Sequence, residues 1–124
     1  MGTSGVLAIA AVCVFGAGHA ATGEQPLTVS VSPLVAPAPG FVRVSARVAP
    51  SEENRVLEVS ASSSEFGRSS EIQLDGIRAP RLSVVDYRDL PAGVYEISAV
   101  LIGSQGKRAT VNRFVQILPT PGQR

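Results

Sequence analysis

From residue 27 to residue 118 the sequence alternates apolar and polar residues, and Gly or Pro interrupts the pattern about every ten residues. Residues 42–48 show the alternation most clearly, because Val, Val, Ala and Val are separated there by Arg, Ser and Arg. Successive side chains of a strand point to opposite faces, so a period of two predicts half-buried β-strands. No window beyond the N-terminal region has the 3.6-residue apolar spacing of an amphipathic helix. The sequence therefore predicts an all-β protein.

Turn signals divide this region into about seven antiparallel strands, a number typical of a β-sandwich. The short polar strand at residues 69–74 is predicted to lie at a sheet edge. A β-bulge is predicted near Asn112 and Arg113, because the apolar residues change parity there. The predicted strands cover residues 27–31, 42–48, 57–61, 69–74, 82–87, 95–101 and 108–118.

The aromatic residues after residue 20 divide into core and surface candidates. We assign Phe41, Tyr95 and Phe114 to the core, which leaves Phe66 and Tyr87 for surface contacts. Phe66 lies on a polar loop, with Arg68 two residues later. An exposed aromatic beside an arginine is typical of a binding hot spot, so Phe66 and Arg68 are the candidate partner-binding residues. The alternative is that Phe66 anchors its own loop over one end of the sandwich.

The N-terminus has the pattern of a signal peptide. Residues 1–20 contain no Asp, Glu, Lys or Arg, and residues 6–18 form an apolar run. That run suits a signal-peptide core and is shorter than the roughly 20 residues that span a bilayer as a helix. Small residues at Gly18 and Ala20 predict cleavage after Ala20, and a buried core helix is the alternative. The predicted organisation is a signal peptide at 1–20, a linker at 21–26, a sandwich at 27–118 and a tail at 119–124.

Cleavage after Ala20 would remove Cys13 and His19, which are the chain's one Cys and one His. Without them the chain has no thiol or imidazole for nucleophilic catalysis and no preferred ligand for zinc. We therefore predict no catalytic residue, no metal site, no cofactor and no enzymatic activity, with a small hydrolase as a remote alternative. The formal net charge of +1 gives no electrostatic case for nucleic-acid binding.

Two segments resemble the end of an immunoglobulin-like domain: Leu-Ser-Val at residues 82–84, and Leu-Pro-Ala-Gly-Val-Tyr at residues 90–95. The resemblance implies that Tyr95 forms a tyrosine corner, in which the hydroxyl bonds to upstream backbone. It also implies structural roles for the residues at the matching core and turn positions, which are Ala46, Leu57, Leu90, Gly93 and Ile97. In antibody domains the positions of Ala46 and Ile97 hold the paired cysteines and that of Leu57 holds a Trp, so the resemblance is to Cys-free bacterial immunoglobulin-like and fibronectin type III-like domains.

These observations together predict an exported, non-catalytic immunoglobulin-like β-sandwich with a binding or structural role in the cell envelope or outside it. The absence of disulfides and of glycosylation sequons favours a bacterial periplasmic or secreted protein. The alternative is a prealbumin-like accessory domain, similar to carboxypeptidase regulatory-like modules, in a larger assembly. The expected partner is a protein or envelope component, with no membrane span after cleavage. We expect it to contact a loop or the edge strand, since the sheet faces are used by the core.

Overall fold

A computed structural model describes residues 25–121. The predicted signal peptide at 1–20 lies outside these residues, as do most of the predicted linker and the last part of the tail. The described chain forms eight strands and one short 3₁₀ turn at Gly76–Arg78. The strands are β1 (Leu27–Ser32), β2 (Val35–Pro37), β3 (Gly40–Val48), β4 (Asn54–Ser62), β5 (Gly67–Gln73), β6 (Leu82–Leu90), β7 (Gly93–Gly103) and β8 (Gly106–Leu118).

The strands form two sheets, so the prediction of an all-β protein is confirmed. A three-stranded sheet has the order β1-β3-β6, and a five-stranded sheet has the order β2-β8-β7-β4-β5. All neighbours are antiparallel except β2, which pairs in parallel with the end of β8. The prediction of about seven antiparallel strands missed this short parallel strand, because residues 35–37 lie in a proline-rich stretch that has no alternation.

The core lies between the inner faces of the two sheets. In β3 the apolar positions 42, 44, 46 and 48 are buried, while Arg43 and Arg47 are exposed. In β7 the buried residues are Tyr95, Ile97, Ala99 and Leu101, which follow the same period of two. Among the described residues no buried side-chain nitrogen or oxygen lacks a hydrogen-bond partner.

The aromatic assignments were wrong for three residues. Phe114, assigned to the core, is 63% exposed, because β8 pairs in register with β7 and places Phe114 beside Glu96 on the outer face. Phe41 is half-buried on the outer face of the three-stranded sheet, since its neighbour Val42 takes the inward position. Tyr87, assigned to the surface, is only 3% exposed.

The predicted bulge at Asn112 and Arg113 is also wrong. The register of β7 and β8 is continuous there, and it shifts instead near the hairpin, between Leu101 and Ile102. Arg113 lies on the inward parity of β8 and is exposed all the same. An inward-facing side chain is thus not always covered by the opposite sheet, and burial could not be inferred here from the alternation alone. Within residues 25–121 no helix has the length and apolar character needed to cross a membrane.

Candidate functional site: the free edge of β5

Strand β5 is the last strand of the five-stranded sheet and pairs only with β4. The pairing is antiparallel and unbroken, from Val56 opposite Gln73 to Ser62 opposite Gly67. Its other edge is free of any strand in the described part of the chain. The edge position of residues 69–74 predicted from the sequence therefore agrees with the sheet order.

Two backbone hydrogen bonds establish which peptide groups face this free edge. The Leu74 amide donates to the Arg55 carbonyl, and the Ser63 amide donates to the Phe66 carbonyl, each at 2.8 Å. Residues of an antiparallel strand bond to the neighbour at every second position. The even-numbered residues of β5 therefore bond to β4, and the amide and carbonyl groups of Ser69, Glu71 and Gln73 point away from the sheet.

The other described edges are shorter or partly obstructed. Strand β2 has three residues and ends in Pro37. Strand β1 has Pro26 immediately before it and Pro33 immediately after it. In β6, the Arg88 carbonyl already accepts a hydrogen bond from the Arg68 guanidinium at 3.0 Å. Proteins commonly protect edges with short strands, prolines, bulges and charged side chains. Strand β5 has two charged residues, Arg68 and Glu71, but it has neither a proline nor a bulge.

A groove about 450 Å³ in volume adjoins the β5 edge on the outer face of the sheet. Three strands line it with Ser60 and Glu58 from β4, Ser69 and Glu71 from β5, and Ser98 and Val100 from β7. These residues are not among those predicted from the sequence to bind a partner. The signal was present, because the alternation in β4 puts Glu58 and Ser60 on the polar face, but only the strand pairing brings them beside β5.

Glu58 and Glu71 are directly opposite each other in the β4–β5 pairing. No described ion pair involves either carboxylate. Like charges at directly opposite positions destabilise a sheet. The groove therefore has two acidic side chains that form no ion pair with any residue of the described range 25–121.

Phe66 and Arg68, the predicted partner-binding residues, lie at the start of β5 on the side of the sheet that faces the core. The Phe66 ring packs edge-to-face on Tyr95, with 6.4 Å between ring centroids. The Arg68 guanidinium lies over the Phe66 ring at 5.2 Å, and it also donates to the Arg88 carbonyl. These contacts tie β5 to β6 and β7, and they match the alternative in which Phe66 anchors its loop. Partner binding by this pair stays a prediction.

The residues with predicted structural roles lie in the core or at the start of β7. Ala46, Leu57, Leu90 and Ile97 are buried, and Gly93 is partly exposed at the start of β7. Tyr95 is fully buried, and its hydroxyl donates a 2.7 Å hydrogen bond to the Pro91 carbonyl. Burial raises the pKa of Tyr95 above its usual value of 10.0.

Tyr87 joins the two sheets. Its hydroxyl, on β6, donates a 2.9 Å hydrogen bond to the Val59 carbonyl on β4 and lies 3.4 Å from the Ser70 hydroxyl on β5. Burial raises the pKa of Tyr87 as well. The β6 edge is thereby held against the strands that form the candidate site.

Three charged residues on the outer face of the three-stranded sheet, Arg43, Asp86 and Arg88, contact one another. The Arg43 guanidinium forms two hydrogen bonds with the Asp86 carboxylate, at 2.8 and 3.0 Å. This hydrogen bonding lowers the pKa of Asp86. Burial opposes the shift, and the positive charges of Arg43 and Arg88 add to it. Arg43 and Arg88 both lie over the Phe41 ring, at 5.7 and 5.0 Å from its centroid. This arrangement leaves Asp86 satisfied and gives Phe41 its partial cover.

The outer face of the five-stranded sheet also has an apolar patch, at the end away from β5. The register of β2, β7 and β8 places four exposed side chains on this face: Val35, Val94, Phe114 and Leu118. The patch was not predicted from the sequence, because Phe114 was assigned to the core. Exposed apolar patches on soluble domains commonly mark interaction surfaces.

No protein-family model matches the sequence, and no curated protein matches it. Solved structures with a similar backbone include the superoxide reductase (neelaredoxin) from Ignicoccus hospitalis. That match has a TM-score of 0.59 and 11% identity, and covers 75% of this chain and 80% of the other. A variant of the same reductase matches with a TM-score of 0.57 and 11% identity, covering 82% and 85%. At this identity the likeness concerns the fold alone.

These matches correct the predicted family. Two solved structures that share the backbone are superoxide reductases, so the identification as an immunoglobulin-like or fibronectin type III-like domain is wrong, and the prealbumin-like alternative has no support. The physical reason is that Leu-Pro-Ala-Gly-Val-Tyr specifies a local turn and a buried tyrosine. Such a motif is compatible with several arrangements of two sheets and does not determine the family.

The matches also correct the prediction of a non-catalytic chain, because enzymes have this sheet arrangement. The absence of His and Cys after residue 20 excludes only mechanisms that need an imidazole or a thiol. It says nothing about carboxylates, hydroxyls or main-chain groups, which the described strands contain in number.

The described residues do not provide the donor set for a metal redox centre. Reduction of superoxide transfers one electron to the dioxygen anion, so the reaction needs a redox-active group. Residues 25–121 contain neither His nor Cys, the ligands that most transition metals prefer. Within the same residues, no group of three or more His, Cys, Asp or Glu is placed to hold a metal ion. We therefore carry over the fold of these neighbours and not their activity.

Proposed function

We propose that this chain is an exported protein-binding module that accepts an extended segment of a partner protein on the free edge of β5. The observation that carries the proposal is the row of outward amide and carbonyl groups at Ser69, Glu71 and Gln73. Addition of a strand to an exposed sheet edge is a common mode of peptide recognition, in which main-chain hydrogen bonds supply the affinity.

The surroundings of β5 support this mode of binding. The strand has seven residues and an unbroken pairing with β4, so its backbone is held in the extended conformation that an added strand needs. The contacts of Phe66 and Arg68 with Tyr95 and β6 fix the beginning of the strand. A rigid edge loses little conformational entropy on binding, which favours affinity.

A substitution that removes one outward amide tests the proposal. Gln73→Pro removes a donor that β4 does not use, so the fold is retained and binding is weakened. Gln73→Ala is the matched control, because it shortens the side chain and keeps the amide. The probe is a neutral nine-residue peptide of alternating Gln and Val, with binding followed by amide shifts in two-dimensional NMR spectra.

Hydrogen exchange provides a second measurement on the same samples. We expect the amides of Ser69, Glu71 and Gln73 to exchange fast in the free chain and slowly with saturating peptide, while the Leu74 amide is slow in both. Binding that leaves these amides fast, or that survives Gln73→Pro unchanged, contradicts the proposal.

Export is the second part of the proposal, and the uncharged apolar segment before Ala20 supports it. Expression of the full chain in a bacterial host with fractionation of the periplasm and medium tests it. The intact mass of the exported protein should correspond to a chain that begins at Ala21. Retention of the uncleaved chain in the cytoplasm would contradict this part while leaving the β5 proposal open to its own test.

A further inference from the structure

We infer that the segment bound at the β5 edge is basic, with Lys or Arg at alternate positions that face the outer groove. The inference rests on the proposed function, and it adds the chemistry of the partner. It rests on two observations: the carboxylates of Glu58 and Glu71 form no ion pair among the described residues, and the peptide groups of β5 point outward beside them.

The charge of this surface is local. The whole chain has a formal net charge of +1, whereas the outward positions of β4, β5 and β7 contain Glu58, Glu71 and Glu96 and no Lys or Arg. The arginines of these strands do not face the groove. Arg68 lies over Phe66, and Arg55 donates to the carbonyl groups of Glu52 and Asn54 in its own turn.

Strand geometry sets where a bound side chain would lie. A strand added beside β5 places one residue directly opposite Glu71 on the outer face, with Cβ atoms about 5 Å apart. The residues two positions away lie beside Ser69 and Gln73. A long cationic side chain at these positions can extend over β5 towards Glu58, which is the residue of β4 directly opposite Glu71.

The groove offers both charge and hydrogen-bond acceptors to such a cation. Glu58 and Glu71 are like charges at directly opposite positions, an unfavourable pairing in a sheet that a cation beside them would offset. The hydroxyls of Ser60, Ser69 and Ser98 line the same groove and can accept hydrogen bonds from an ammonium or guanidinium group. An acidic segment would instead add a third negative charge beside the first two. A basic segment is therefore the occupant that the charges favour.

Two matched peptides test the inference. The basic probe alternates Lys and Val over nine residues, and the neutral probe has Gln at each Lys position. We expect the basic peptide to bind at least tenfold more tightly at low salt, with a difference that falls as salt screens the charges. The double variant Glu58→Gln/Glu71→Gln should bind both peptides equally. The control is Glu52→Gln/Glu65→Gln, which makes the same change in net charge on exposed residues outside the groove and should keep the preference.

The outcomes separate this inference from the proposed function. Equal binding of both peptides, lost in Gln73→Pro, supports the edge and overturns the basic partner. Tight binding of the basic peptide that is unaffected by Gln73→Pro overturns the edge and indicates attraction by charge alone. Failure of both peptides to bind overturns both. A preference that both double variants weaken equally means that net charge, rather than this groove, selects the peptide, and it also overturns the inference.

Discussion

Replacement of Tyr95 by Phe removes a single hydroxyl group from the interior of the protein. The side chain is fully buried, and the hydroxyl donates a 2.7 Å hydrogen bond to the Pro91 carbonyl. Phe fills nearly the same volume, so the main effect is the loss of that bond. Pro91 is exposed and the hydrogen bond is part-buried, so water can replace the lost donor, and we expect a cost of about 0.5 to 1.5 kcal/mol, the net contribution of one hydrogen bond.

Tyr87→Phe provides a comparison at the second buried tyrosine. The Val59 carbonyl on β4 accepts the hydrogen bond of the Tyr87 hydroxyl. The odd-numbered residues of β4 bond to β5, so this carbonyl also accepts a backbone amide of β5. It therefore keeps a donor after the substitution. We expect a cost of about 0.5 to 1.5 kcal/mol, the range for a hydrogen bond whose loss leaves its acceptor satisfied.

Val94→Ala is the control for the register of β7. Val94 is 60% exposed on the outer face beside Tyr95, so its truncation should change the free energy of unfolding by no more than about 0.5 kcal/mol. Urea denaturation followed by circular dichroism measures all three variants. For a domain of this size each kcal/mol lowers the melting temperature by about 4 to 8 °C, which gives an independent check. A Val94 variant less stable than the Tyr95 variant would refute the assignment of inward and outward residues in β7. A cost of about 3 kcal/mol or more for either tyrosine variant would mean that its carbonyl acceptor is left buried and unpaired, and would refute this expectation.

Three further predictions concern packing, surface and pH. Gly103→Ala should lower the free energy of unfolding by about 1 to 3 kcal/mol, because the added Cβ would lie 2.8 Å from the Glu53 carbonyl oxygen. At Gly67 an added Cβ meets nothing closer than 3.8 Å, so Gly67→Ala should be neutral or slightly stabilising in thermal melts. Phe114→Ser should change the free energy of unfolding by no more than about 0.5 kcal/mol in urea titrations, because Phe114 is exposed. Leu57→Ala, at a fully buried residue, should cost about 2 to 5 kcal/mol. Equal costs would mean that Phe114 is buried in the core. Burial raises the pKa of both buried tyrosines, so the stability that depends on their neutral form is complete below pH 10 and is lost as the pH rises through their folded-state pKa values. Alkaline unfolding curves of the wild-type protein and the double Tyr→Phe variant should therefore converge as the pH rises above 10, and a constant difference would contradict this linkage.

The sequence was sufficient to determine the strands wherever alternation was strict. In β3 and β7 each inward residue is apolar and each buried position follows a period of two, so local pattern and tertiary burial agree. The same holds for the edge position of residues 69–74, because a short polar strand has too little apolar surface to lie between two others. The buried position of Tyr95 also followed from its place in an alternating strand.

Tertiary structure decided the features in which residues distant in sequence meet. Whether Phe114 or Val115 faces inward depends on the pairing of β8 with β7, because a shift of one residue exchanges the two faces of a strand. The parallel pairing of β2 with β8 likewise has no local signal. The candidate site depends on the sheet order, since Glu58 and Glu71 become neighbours only when β4 and β5 pair. The sequence thus determined which residues could be buried, through the free energy of removing apolar side chains from water. The direction of the unpaired amide groups and the meeting of the two carboxylates were decided by strand register, which is a property of the assembled sheets.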